Sequence, residues 1–186
     1  MKALVFDTET SGLISSRLAK AEQLPEVIEF YGAMVDFTKA GKYKVTQELG
    51  LLIKPDRMIN ELKTGKHNIT RITGITNAMV KDAPAFKAVA ARIISFVEQA
   101  PLAIAHNVTF DKEMLDIEAW RLNHAIHWPP VLCTVEATGY LRGDPLTLSE
   151  LHAYLFGQKH ADAHRAKADT HALIRCCAEL YKRGVI

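Results

Sequence analysis

Cysteine, net charge and long apolar runs are all scarce in this sequence, and each scarcity removes a class of protein. Only three cysteines occur, Cys133, Cys176 and Cys177. The last two are adjacent and could bridge only with strain, so a disulfide scaffold is excluded and reduced thiols are expected. The absence of a CxxC pair argues against structural zinc, although His160 and His164 have the i, i+4 spacing that on a helix sometimes marks a zinc pair. A net charge of +2 is too small to advertise a polyanion binder, so any phosphate affinity has to be local. Two stretches could supply it, Lys63, Lys66, His67 and Arg71 in one and Lys159, His160, His164, Arg165 and Lys167 in the other. Each is equally compatible with a plain solvated face. No stretch approaches the ~18 consecutive apolar residues of a membrane span, and the apolar run after Met1 is too short for a signal peptide. A soluble, cytoplasmic protein is the expectation. Internal repeats, low-complexity tracts and proline-rich linkers are also missing, which leaves no visible boundary inside the chain.

What is present suits one domain over residues 1–186. A chain of 186 residues with 48% hydrophobic and 24% charged side chains can bury roughly 70% of its unfolded surface around a single core. The apolar run Ala3–Phe6 opens a first strand that carries Asp7-Thr8-Glu9 at its end. Glu26–Asp36 and Lys44–Lys54 follow as two more, joined by a turn at Thr38–Lys42 and stopped by Pro55, so the chain opens as an antiparallel meander. Between Pro84 and Pro101, Phe86, Val89, Ile93, Phe96 and Val97 recur at helical spacing. Leu102–Ala105 predicts a short buried strand, followed by a helix from about Phe110 to Leu122 with Asn107 or Thr109 as its cap. Val131–Cys133 predicts another strand. Thr147-x-x-Glu150 is a capping-box signature for a helix ended by Gly157, and a last helix runs from near Arg165 to Tyr181. A meander followed by strands alternating with helices indicates an α/β protein with a mixed sheet covered by helices.

The chemistry is concentrated in three short segments. Asp7 and Glu9 end the first strand, and strand alternation projects both carboxylates from one face about 7 Å apart along the backbone. Two such carboxylates repel unless a cation separates them, and hard divalent ions such as Mg²⁺ and Mn²⁺ prefer oxygen ligands. A lone DxE would more simply be a solvated strand end. Asp169, however, falls in line with Leu173, Cys176 and Leu180 on the apolar face of the last helix, where an unpaired carboxylate is costly. The plainer alternative for Asp169 is an acid near a helix start, favoured by the dipole. His164, five residues earlier, could accept a proton near neutral pH or be an ordinary loop histidine. His106-Asn107-Val108-Thr109-Phe110-Asp111 decides the matter. A strand turning straight into a helix would bring Asp111 toward Asp7, and HNxxFD arises by accident in roughly one chain per thousand of this length.

With these segments the sequence resembles the DnaQ-like, or DEDDh, 3′–5′ exonucleases of the ribonuclease-H-like superfamily. Phe6 to Leu13 is similar to the family's first motif, Ala105 to Asp111 to its second, and His164 to Asp169 to its third. Pro25 to Glu29 and Thr73 to Thr76 are similar to weaker landmarks. Histidine five residues before the last aspartate, with Arg165 four before it, favours the DEDDh branch over the branch that uses tyrosine at the latter spacing. The resemblance implies a ribonuclease-H-like sheet and two Mg²⁺ or Mn²⁺ ions per site. Asp7 would be shared by both ions, Glu9 and Asp169 would serve one, and Asp111 the other. His164 would accept the proton of the attacking water, and nucleoside 5′-monophosphates would be released. Thr8, Thr10 and Gly12 would hold the terminal nucleotide and Leu13 would wedge against its base. Asn107 and Phe110 would line the pocket, though Phe110 is equally compatible with core packing. The implied partner is a single-stranded DNA 3′ end, with RNA as the alternative polymer and a DNA polymerase as the candidate protein partner. A non-catalytic nucleic-acid-binding domain of the same fold is the competing class, signalled by a missing ligand, and none is missing. Ile14 to Leu24, with Arg17 and Lys20, matches no family landmark.

Overall fold

The computed structural model describes residues 1–14, 23–60, 68–141, 143–160 and 164–186. The segment carrying Arg17 and Lys20, and the basic residues Lys63, Lys66 and His67, lie outside the described residues. Five strands form one sheet: β1 Lys2–Thr10, β2 Val27–Phe37, β3 Tyr43–Leu52, β4 Ala103–Ala105 and β5 Val131–Cys133, in the order β3-β2-β1-β4-β5. β1–β2 and β2–β3 pair antiparallel, whereas β1–β4 and β4–β5 pair parallel. Among the described residues seven helices accompany them, α1 Ile69–Thr73, α2 Asn77–Val80, α3 Phe86–Glu98, α4 Val108–Arg121, α5 Thr134–Thr138, α6 Leu148–Phe156 and α7 Ala166–Arg183. The sheet is the mixed, helix-flanked architecture expected of a ribonuclease-H-like protein. Among the described residues, no helix is long and apolar enough to cross a membrane.

Strand alternation divides β1 between two cores. Leu4 and Phe6 pack with Val89, Ile93 and Val97 of α3 and Met114 and Leu115 of α4, while Ala3 and Val5 pack with Leu173, Ile174 and Cys177 of α7. Odd-numbered side chains of β1 therefore face α7 and even-numbered ones face α3 and α4. A third cluster, Ile28, Ile59, Ile69, Ile75 and Val80, anchors α1 and α2.

β1 runs through Thr10 with Asp7 and Glu9 inside the strand, as the alternation requires, and β2 pairs with it that far. The differences from the sequence reading have local causes. The short helices α1, α2 and α5 were not anticipated. The first two are five and four residues long, too short for apolar periodicity, and are marked only by their caps, Asn68 and Thr76, each of which accepts a backbone N–H. Asn107 does occupy the cap position of α4, but in a left-handed conformation (φ 68°) without a side-chain capping bond. Asparagine tolerates that conformation better than most residues. The Thr147–Glu150 capping box forms as expected, and Gly157 ends α6 in the left-handed conformation.

Candidate active site

Along β1, β4 pairs only with Leu4 and Val5, so β1 overhangs it and on that edge its later residues meet helices in place of a strand. On the even side, Thr8 turns to α4. Its N–H and its hydroxyl both donate to Asp111 Oδ1, at 2.9 and 2.7 Å. On the odd side, Asp7 and Glu9 point toward the first turn of α7, where Asp169 stands. One carboxylate oxygen from each of Asp7, Glu9 and Asp169 lies within 4.8 Å of the others. Hard oxygen donors at that spacing suit a cation of the Mg²⁺ or Mn²⁺ kind.

The electrostatics agree with the donor set. Burial and repulsion from Asp111, Glu9 and Asp169 push the Asp7 carboxyl well above its ordinary value. Burial, with repulsion from Asp169 and Glu29, raises Glu9 to about 8. Asp111 is pushed by burial to about 7 despite the two Thr8 hydrogen bonds, which pull the other way. Like charges this close need an added positive charge or retained protons.

The acidic group lines a cleft of about 700 Å³, within the usual range for small-ligand sites. Its lining mixes the polar Asp7, Glu9, Asp111, His164 and Asp169 with the apolar Phe110, Val135, Pro145, Leu146 and Leu148. His164 is exposed, has φ 67°, and donates its backbone N–H to Asp169 Oδ2 at 2.9 Å. His160 is buried on the opposite oxygen, with Nε2 2.5 Å from Asp169 Oδ1.

The family model described as "Exonuclease", of the RNase T type, matches residues 4–177. The chain belongs to this exonuclease family. Among curated relatives, a PolC-type DNA polymerase III from Caldanaerobacter subterraneus subsp. tengcongensis is 29% identical over 187 residues, covering 98% of this chain but 12% of its own length. The epsilon subunit of DNA polymerase III from Pasteurella multocida is 28% identical over 138 residues, covering 74% of this chain and 49% of its own. The chain thus spans half or less of these two relatives. Among solved structures, the nuclease domain of 3′hExo, a DEDDh family member bound to rAMP, superposes with a TM-score of 0.73 at 15% identity, covering 98% of this chain and 92% of that one. That likeness speaks to the fold alone.

The acidic group of Asp7, Glu9 and Asp169 is a donor set that could hold a metal ion. Of the residues singled out in the sequence, Asp7, Thr8, Glu9, Asn107, Phe110, Asp111, His164 and Asp169 all line the one cleft. Thr10, Gly12 and Leu13 are not part of its lining. Thr10 and Gly12 are buried, with the Thr10 hydroxyl donating to the Gly12 carbonyl at 2.6 Å, and Leu13 is exposed. Phe110 serves in both of its expected places, lining the cleft while packing against the core.

Two groups escaped the sequence reading. His106 joins the Thr134 hydroxyl and the Leu146 carbonyl, each at 2.9 Å, and so ties the apolar lining to the end of β4. It stood inside HNxxFD, yet nothing in that spacing announces its partners. His160 and Arg165 stand in a basic stretch that the sequence leaves open between local phosphate affinity and a solvated face. Both are engaged with carboxylates, His160 with Asp169 and Arg165 with Glu29.

Proposed function

We propose that this chain is a metal-dependent 3′–5′ exonuclease that removes nucleoside 5′-monophosphates from single-stranded DNA ends, with residues 1–186 acting as one exonuclease domain. The observation that carries the reading is the convergence of Asp7, Glu9 and Asp169 within 4.8 Å in a cleft that His164 and Asp111 share. Relatives named as DNA polymerase III chains support DNA as the polymer and a polymerase as a protein partner.

Asp7, Glu9 and Asp169 would hold one divalent ion, and Asp7 with Asp111 a second. Bound there, Mg²⁺ or Mn²⁺ would supply Lewis acidity at the scissile phosphate and neutralise its developing charge. Thr8 fixes Asp111 through two donated bonds, so that carboxylate meets its ligand with little freedom to lose. His164, on the exposed side of the acidic group, accepts the proton of the attacking water on a ring nitrogen. The apolar lining of the cleft, Phe110, Val135, Leu146 and Leu148, packs against the base. Such contacts discriminate poorly among bases, so weak sequence preference is expected.

The test compares wild type with Asp7→Ala on 5′-labelled single-stranded DNA and matched RNA, each with Mg²⁺, Mn²⁺ or EDTA. The expected result is a metal-dependent ladder of shortened DNA, absent in the variant. Faster shortening of the RNA would reassign the substrate, and intact polymers under every condition would overturn the nuclease reading.

A further inference from the structure

Glu29 belongs to neither the acidic triad nor the cleft lining, yet it is a buried carboxylate directly beside them. It stands opposite Glu9 in the β1–β2 register and faces α7 from the odd-numbered side of β2. Its side chain is 9% exposed. Three donors converge on it: Arg165 Nη2 at 2.7 Å, Arg165 Nε at 3.1 Å and the Ala166 N–H at 2.9 Å. The first two form the planar, two-pronged pairing that holds a guanidinium in one orientation. The third satisfies a free N–H in the first turn of α7.

Stability alone is a weak reason for this arrangement. An ion pair whose arginine is 39% exposed contributes little to stability, and Glu29 stands next to a group already crowded with carboxylates. Glu29 is among the causes that raise both Asp7 and Glu9. What the arrangement does is grip the two residues that immediately follow His164. On its other side His164 is held by its own N–H on Asp169. The backbone between these two grips adopts φ 67° at His164, a region that non-glycine residues enter only when their surroundings hold them there.

We infer that Glu29 is a positioning residue, which through Arg165 and the Ala166 N–H holds the backbone that presents the His164 imidazole to the cleft. This rests on the nuclease reading above and adds a residue outside its metal and proton-transfer groups. Glu29 acts through His164, so its worth depends on that imidazole being present. A strut that merely stabilised α7, or a charge that merely tuned the metal ligands, would be indifferent to it.

A double-mutant cycle separates these possibilities. Single-turnover rates on labelled single-stranded DNA are measured for Glu29→Gln, Arg165→Met and Arg165→Lys, each with His164 intact and with His164→Ala. Mn²⁺ affinity is measured alongside by calorimetry. With His164 present, Glu29→Gln and Arg165→Met should slow the reaction about 10- to 100-fold, the range typical of losing a supporting partner. Mn²⁺ affinity should hold, and Arg165→Lys, which keeps charge but loses the fork, should fall between. In the His164→Ala background the same changes should cost less than about twofold, because the group they position is gone. Equal losses in both backgrounds would overturn the inference, as would no loss in either. If Glu29→Gln does not fold, the Arg165→Lys arm carries the same cycle. A wild type that cuts no polymer would sink the nuclease reading itself, whereas an active wild type with an indifferent Glu29→Gln would sink only the positioning role.

Discussion

Among the described residues two acidic groups are treated in opposite ways, one buried and the other, Asp111 apart, half-buried. At one, Glu26 and Glu118 are both buried and both supplied with cations. Arg57 Nε is 3.3 Å from Glu26, and Arg121 Nη1 is 3.0 Å from Glu118. Backbone N–H groups of Asp56 and Val27 complete their hydrogen bonding. At the other, Asp7, Glu9, Asp111 and Asp169 converge with no lysine or arginine bonded to them among the described residues. The nearby Arg165 fork is taken by Glu29. Burial raises Glu118 as well, but Arg121 and the Val27 N–H pull it back, whereas every cause acting on Asp7 pushes it upward. The first group resembles a structural tie that the chain completes by itself. The second has no such tie among the described residues, which makes it a candidate cation site.

The contrast can be broken most sharply by removing one acid from the second group. Asp7→Asn should lower kcat by on the order of 10³-fold while leaving the EDTA-treated protein at least as stable as wild type, because a repelling charge has gone. A variant that unfolds would show that Asp7 is structural. The converse change is Arg121→Met, which strands Glu118 and should cost about 3 kcal/mol of unfolding free energy with kcat unchanged in the folded fraction. Urea denaturation read beside nuclease assays tests the pair of statements.

The pH dependence of the metal-free protein sharpens the same point. Glu9 rises from 4.5 to about 8 on folding, so between those values the folded chain keeps a proton that the unfolded chain has lost. Stability must then fall as pH rises from about 4.5 to about 8 and level off above. Asp7 and Asp111 are shifted in the same direction and add to the trend. Thermal denaturation in EDTA should show this decline, Glu9→Gln should flatten it, and added Mn²⁺ should oppose it. Stability that rises across that window would contradict the account. The smallest effect is expected at Thr8→Val, which removes one of the two bonds to Asp111. It should cost about 1 kcal/mol, roughly fivefold in rate, and a kcat equal to wild type would show the remaining N–H to be sufficient.

Much of this was legible before the fold was known, for identifiable reasons. The long elements could be read because their side chains repeat: α3 from Phe86, Val89, Ile93 and Val97, and α7 from the line of Asp169 with Leu173, Cys176 and Leu180. The three motifs could be read because their chemistry is local, packed into Asp7 to Glu9, His106 to Asp111 and His164 to Asp169. The five-residue and four-residue helices α1 and α2 could not, since one turn contains no repeat. Nor could the partners of His160 and Arg165, whose basic character names no partner and which the fold sets on Asp169 and Glu29.

The sequence by itself determined which residues carry the charge and, through strand alternation, that Asp7 and Glu9 share one face while Thr8 takes the other. It also determined the capping of α6 and the amphipathic faces that dock α3 and α7, because these depend on neighbours a few residues apart. Only the tertiary structure decided that the Thr8 face meets Asp111, 103 residues away, and that Glu29 grips Arg165 across 136. Such contacts follow from β1 overhanging the short strand β4 and from the docking of α7 on the sheet. Their energies belong to pairs that no local pattern links.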